Sequence, residues 1–304
     1  MFLSLFGVEL LVQLGLMRRL EPLGRPLARL ARLPAESALT FLASIGSLVA
    51  GNTMAAQLHQ DKKLSDAELV ASAVFNTVPI HFKESVTYIL PVVLPLLGLR
   101  LSVIYVSAFL LAGLMKLAFV LIFGRLRFQP RNDGHRTLHL LECELDQSCA
   151  DRPWKEILGE AYKAKKRLFR RMIIILSGVT FAVQFLLNAE VMQAFHSLVG
   201  PLTRTFGLPP SVIGPLGAYV LSPTVGVTFM SNLLADGLVT EYQAIIALMA
   251  GGLIMIPVMR LRGTWPRYSA IFGFKWGSVI CGLTMGISWL ARAMVLILVW
   301  AFWQ

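Results

Sequence analysis

Charged side chains are scarce, at 15% of 304 residues, where an ordinary soluble domain carries about 25%. That shortage argues against a water-exposed globular surface. Cysteine is scarcer still: Cys143, Cys149 and Cys281 are too few and too scattered for a disulfide scaffold. The chain has no P-loop, no HExxH and no nucleophile elbow, so enzymatic chemistry finds no support in it. It also lacks the alternating segments of about 10 residues that a transmembrane β-barrel needs. The first apolar run (2–17) has no basic leader, contains Glu9 and shows no small-residue cleavage site, so a cleaved signal peptide is not expected.

What the chain does contain is apolar sequence. Hydrophobic residues make up 56% and mean hydropathy is +0.67. Several runs approach the roughly 20 residues of helix that span a bilayer. The expected fold class is therefore an all-α multi-pass membrane protein. The net charge of +11 collects in two stretches, Arg18 to Arg32 and Arg125 to Arg171. Lys and Arg gather on the cytoplasmic side of membrane proteins, which accounts for that clustering better than nucleic acid does.

The stretch Gly51 to Asp61 returns 175 residues later as Gly226 to Asp236. Both copies read Gly-x-Thr-x3-(Gln/Asn)-x3-Asp. On a helix, positions i, i+4 and i+8 share one stripe. Thr53, Gln57 and Asp61 form one polar line, and Thr228, Asn232 and Asp236 a second. The offset of 175 runs from about Phe6 to Leu69 without a gap, pairing Glu9 with Gln184 and Leu33-Pro34 with Leu208-Pro209. It also pairs Ser65-Asp66 with Thr240-Glu241, a helix N-cap with an acid in the first turn both times. Beyond that, a shift of three residues is expected to bring Pro79 onto Pro257. The chain divides into a first repeat (1–124), a basic insert (125–171) and a second repeat (172–304).

Each repeat reads as one series. An apolar helix (2–17 or 173–192) precedes an interfacial amphipathic segment with Pro26 or Pro201. Two apolar pieces too short to span follow, 36–49 with 51–60 and 211–221 with 224–235. Breaks are expected at Val49-Ala50-Gly51 and at Ser222-Pro223-Thr224. Each pair reads as a re-entrant broken-helix hairpin, the pattern that points to a transporter site. A segment interrupted near Pro79 or Pro257 leads to a last helix (101–124 or 284–303) with one cation, Lys116 or Arg292. Of Arg18, Arg19, Arg25, Arg29 and Arg32, only Arg29 keeps a cation at its counterpart, Arg204. The first amphipathic segment is thus expected inside and the second outside, which makes the repeats inverted. The expected location is the inner (plasma) membrane, with the amino terminus outside and the insert cytoplasmic.

Two hairpin-bearing halves with a Gly-x-Thr break resemble the Gate domain, or nucleoside recognition domain. That family includes concentrative nucleoside transporters, the membrane part of the ferrous-iron transporter FeoB and spore maturation proteins. The resemblance covers most of the chain except the insert. It implies that the hairpin tips around Gly51 and Gly226 line a substrate site. A metal-ion transporter on the FeoB pattern would want cysteine near such a break, and Cys281 lies outside both tips.

The candidate substrate-binding residues are Gly51, Asn52, Thr53 and Gln57, with Ser222, Thr224, Gly226, Thr228 and Asn232. Helix breaks expose backbone groups that lipid cannot satisfy, so they belong in protein or beside water. The competing role for these amides and hydroxyls is helix–helix glue at about 0.6 kcal/mol each. Asp61 and Asp236 read either as coupling-ion sites or as turn residues. His81 and Glu84, with Asn76, Thr77 and Lys83, either carry protons or form a surface loop. Glu9 is either paired with Lys116 or interfacial. In the insert, His135, His139 and Cys143 recur at i, i+4 and i+8, but with Cys149 they match no standard zinc spacing, and no metal or cofactor is assigned. The expected function is carriage of a small polar solute, with a nucleoside implied by the resemblance. The alternatives are a non-transporting membrane scaffold that binds lipid or a protein partner, and a metal-ion transporter related to the FeoB membrane domain. The partners are the bilayer, the solute and, in an assembled carrier, further copies as a homo-oligomer.

Overall fold

The computed structural model describes residues 26, 28–85, 90–129 and 207–303, and among these it is helical throughout, with no strand. The first helix (2–17), most of the first amphipathic segment, Glu9, the insert beyond Gln129 and the helix expected at 173–192 lie outside the described residues.

In chain order the helices are α1 (Ala35–Gly46), α2 (Leu48–Gln60), α3 (Asp66–Phe75), α4 (Val78–Glu84) and α5 (Leu90–Arg127). A 3-10 turn at Pro210–Val212 then leads into α6 (Ile213–Leu221), α7 (Pro223–Ala235) and α8 (Glu241–Met259). A π turn at Arg260–Thr264 joins α8 to α9 (Trp265–Phe302). Val92–Arg127 and Glu241–Phe302 are long and apolar enough to cross a membrane.

The offset of 175 holds for every shared boundary. α5 and α9 are each 38 residues long, and each is kinked at a glycine with positive φ, Gly98 at 74° and Gly273 at 82°. The shift of three residues expected near Pro79 is therefore not observed. Pro79 is the second residue of α4, where its missing N–H costs nothing, whereas Pro257 lies inside α8. The two prolines occupy unlike positions, and aligning them misplaces the register. The interruption in the first half falls at Asn76-Thr77, and α8 runs straight through the equivalent Gly251-Gly252.

Local chemistry explains the shared boundaries. Ser65 and Thr240 each close a capping box, with Glu68 and Gln243. At the other end of the preceding helices, Lys63 N–H donates to Leu58 O and Leu238 N–H to Leu233 O. Both turns are thereby locked in the Schellman arrangement.

The described residues form two compact units that cut across the two repeats. Those of the first fall within 26–80, 116–129 and 267–280, and those of the second within 81–115, 207–266 and 281–303. Each unit takes one hairpin, the helix after it, the end of one long helix and a stretch from the long helix of the other repeat. In the first unit Ile271 of α9 packs on Ala50 and Ala56 of α2. In the second, Ser231 of α7 donates to the Leu96 carbonyl of α5 at 2.7 Å. The second unit's core is centred on α8, whose residues Ala244 to Ala250 are all fully buried. A helix apolar on every side belongs inside such a core.

Candidate functional site

The hairpins carry most of the candidate residues. In the first half the two arms separate at Ser47, ahead of the break expected at Val49-Ala50-Gly51. Ser47 is the extended residue there (φ −152°, ψ 115°), matched by Ser222 (φ −149°, ψ 111°). The following helices begin at Leu48 and Pro223, not at Gly51 and Thr224. Orphan N–H groups at these starts are handled in two ways. The Ser47 side chain accepts from Ala50 N–H. Ser222 makes no such cap, and Pro223 simply lacks the N–H.

Gly51 and Gly226 serve a different purpose from breaking the helix. A Cβ on Gly51 would lie 2.8 Å from the Ser44 Cβ, and one on Gly226 would run into the Tyr219 backbone. These glycines let the two arms of each hairpin touch, so they face the opposite arm.

The polar lines survive as helix faces. Thr53 is buried and Gln57 half-buried with a partner, while Asp61 is exposed at the C-cap of α2. In the second unit Thr228 and Thr224 are half-buried, and Asn232 and Asp236 are exposed. Thr53 Oγ1 donates to the Val49 carbonyl at 2.7 Å, and Thr228 Oγ1 to that of Thr224 at 2.9 Å. Both hydroxyl protons are thus spent within their helices, and only lone pairs remain to receive an N–H.

The first unit contains a buried network that the repeat pattern does not single out. Ser37 and Ser72 share a hydrogen bond of 2.7 Å between α1 and α3. Thr40 Oγ1 lies 3.1 Å from Asn76 Oδ1, and Asn76 Nδ2 donates to Asn52 Oδ1 at 3.3 Å. All five residues are fully buried. The chain of bonds ends at Asn52 Nδ2, which has no protein partner. Reversing both amides would leave Asn52 Oδ1 unbonded instead, so Asn52 terminates the network either way. The sequence signal for this network lies in the difference between halves. At the offset of 175, Ser37, Thr40, Asn52, Ser72 and Asn76 become Val212, Pro215, Val227, Ala247 and Gly251.

The remaining candidates scatter. Asn76 and Thr77 belong to the first unit, and His81, Lys83 and Glu84 to the second. His81 is buried and stacked on Phe109 with centroids 4.7 Å apart, Lys83 is exposed and Glu84 half-buried. Lys116 is fully buried in the first unit. Among the described residues no three His, Cys, Asp or Glu side chains group as metal ligands.

The chain is 22% identical to the uncharacterized protein MJ0880 of Methanocaldococcus jannaschii, over 99% of this chain and 96% of that protein. Two more uncharacterized proteins of that organism are similar. MJ0871 is 20% identical over 94% of this chain and 86% of its own length, and MJ1556 is 23% identical over 97% and 89%. No protein-family model and no solved structure matches the chain. The likeness to these relatives spans both repeats and the insert between them.

Proposed function

We propose that this chain is a multi-pass membrane carrier of the Gate type, with two inverted repeats, that moves a small polar solute. The observation that carries the reading is the duplicated hairpin, interrupted at Ser47 and Ser222 by the same extended backbone. Its arms are of 12 and 13 residues in the first half, or about 18–20 Å at 1.5 Å per residue. A bilayer core is about 30 Å thick. Arms of that length suit a re-entrant hairpin, whose break must be satisfied by protein, water or ligand. Thr53, Gln57, Thr228 and Asn232 supply side-chain acceptors and amides beside the two breaks, and the resemblance to nucleoside transporters makes a heterocycle with N–H and carbonyl edges the first solute to try.

Purified protein should bind adenosine or uridine in an equilibrium binding assay, and Gln57→Leu or Asn232→Leu should each weaken binding by up to about tenfold. Gln57 is half-buried and Asn232 exposed, so the loss expected is that of one net hydrogen bond which the bound solute closes off from water, about 0.5–1.5 kcal/mol. Binding left unchanged by both substitutions would remove the polar lines from the site.

One observation favours the scaffold reading instead. The buried network of the first hairpin has only apolar or glycine counterparts in the second, whereas a carrier in which the halves exchange roles would treat them more alike. Absence of uptake into proteoliposomes for every solute that binds would decide for the scaffold.

A further inference from the structure

The second unit encloses a guanidinium that the polar lines do not use. Arg292 on α9 is 5% exposed, and its Nη1 donates to the Tyr219 hydroxyl at 2.8 Å. That hydroxyl is hydrogen-bonded in turn to the Tyr105 hydroxyl at 2.7 Å, and the guanidinium lies 5.3 Å from the Tyr105 ring centroid. Room for it is made on α8 by Gly252, where a Cβ would collide with Arg292 Nη1 and Cδ. All four residues belong to the second unit.

A guanidinium carries five N–H donors and a charge that cannot be shed. Here the group meets two neutral hydroxyls, those of Tyr219 and Tyr105, and among the described residues no carboxylate reaches it. Leaving a buried cation without an anion is expensive, and inside an apolar helical chain such a residue marks a functional site.

We propose that Arg292 is the anchor of an oxyanion-binding site in the second unit. Tyr219 and Tyr105 fix the plane of the guanidinium, Gly252 leaves room for it beside α8, and its planar fork offers paired N–H groups to two oxygens of one carboxylate or phosphate. A planar fork meeting two oxygens is the arrangement that distinguishes arginine from lysine at such sites. Tyr219 and Tyr105 act as positioning residues. The first repeat has Ser44, Thr77 and Leu117 at the positions of Tyr219, Gly252 and Arg292, so the arrangement is not duplicated at the offset of 175. Nothing in this inference depends on the polar lines or on transport.

The oxyanion can reach the site as a free ion or as a lipid headgroup, and the test separates the two. Full-length protein in an uncharged detergent is melted against acetate and against inorganic phosphate, with chloride at matched ionic strength as reference. A saturable rise of several degrees with either ion, reduced at least tenfold in apparent affinity by Arg292→Lys and abolished by Gly252→Ala, supports a free-anion site. For the lipid arm, protein extracted from membranes containing phosphatidylglycerol is weighed by native mass spectrometry. A retained phospholipid that is lost in Arg292→Lys supports headgroup binding. Arg292→Met adds the charge-free case, and should it fail to yield folded protein, the lysine and alanine variants decide alone. The proposal is overturned if neither ion shifts the melt and no lipid is retained. Responses in Arg292→Lys and Gly252→Ala equal to the unsubstituted protein overturn it as well.

Discussion

Two residues other than glycine hold a left-handed backbone among those described, Arg32 at φ 51° and Lys62 at φ 57°. Their counterparts at the offset of 175 are Gly207 at 60° and Gly237 at 68°. The fold thus requires positive φ at these two positions, and one half meets the requirement with glycine, the residue that adopts it freely. The other half keeps a cation there, at a conformational cost of about 1–2 kcal/mol per residue. Retaining charge against that cost suggests that the charge itself is wanted at those places. Lys62 is exposed, so little packing is lost when it is replaced. Lys62→Gly should therefore raise stability by about 1 kcal/mol, readable as a higher midpoint in thermal unfolding of the detergent-solubilised protein. An unchanged or lower midpoint would mean that Lys62 makes a compensating contact.

At the scale of the element, the hairpin depends on one close approach. A Cβ on Gly226 would overlap the backbone of Tyr219, which cannot swing aside as a flexible side chain would. Gly226→Ala should cost about 1–3 kcal/mol or more, as overpacking does. Gly214 in α6 has nothing within 4 Å of the corresponding position. Gly214→Ala should be neutral, or stabilising by about 0.5–1 kcal/mol through its helix preference. Equal effects at the two sites would rule out arm-to-arm packing as the role of Gly226. The hairpins are largely legible in the sequence because caps and repeats are local. Ser65 and Thr240 read as N-caps, and both are. The break expected beside Gly51 falls elsewhere because this glycine, a poor helix former on its own, is a helical residue that permits contact. The exchange of long-helix segments between units is not legible. Ile271 lies more than 200 residues from Ala50 and Ala56 in the chain, yet packs on them, and hydrophobic periodicity does not say which apolar faces meet. The network from Ser37 to Asn52 escapes the sequence for a related reason: a search for what repeats passes over what differs.

For the whole molecule, the placement of charge predicts how the chain is threaded through a membrane. Arg32 Nη1 donates to the carbonyls of Arg125 at 2.9 Å and Phe128 at 3.3 Å. This brings the end of the first basic segment to the start of the basic insert, which supports one face for both. The turn after the first hairpin carries Lys62 and Lys63, whereas the equivalent turn carries Gly237 and Leu238. If a hairpin is re-entrant, its following turn returns to the face from which it started. By the cytoplasmic bias of Lys and Arg, Lys63 and the insert then lie inside and Leu238 outside, with Met1 and Gln304 outside as well. The experiment needs a background in which Cys143, Cys149 and Cys281 are serine. Single cysteines at Lys63, Gln147 and Leu238 are then treated with a membrane-impermeant maleimide in intact cells. Leu238→Cys should label at once, and Lys63→Cys and Gln147→Cys only after permeabilisation. Because Lys63 and Leu238 are equivalent positions 175 residues apart, like labelling of both would show that the repeats run parallel, and the inverted arrangement would fall with it.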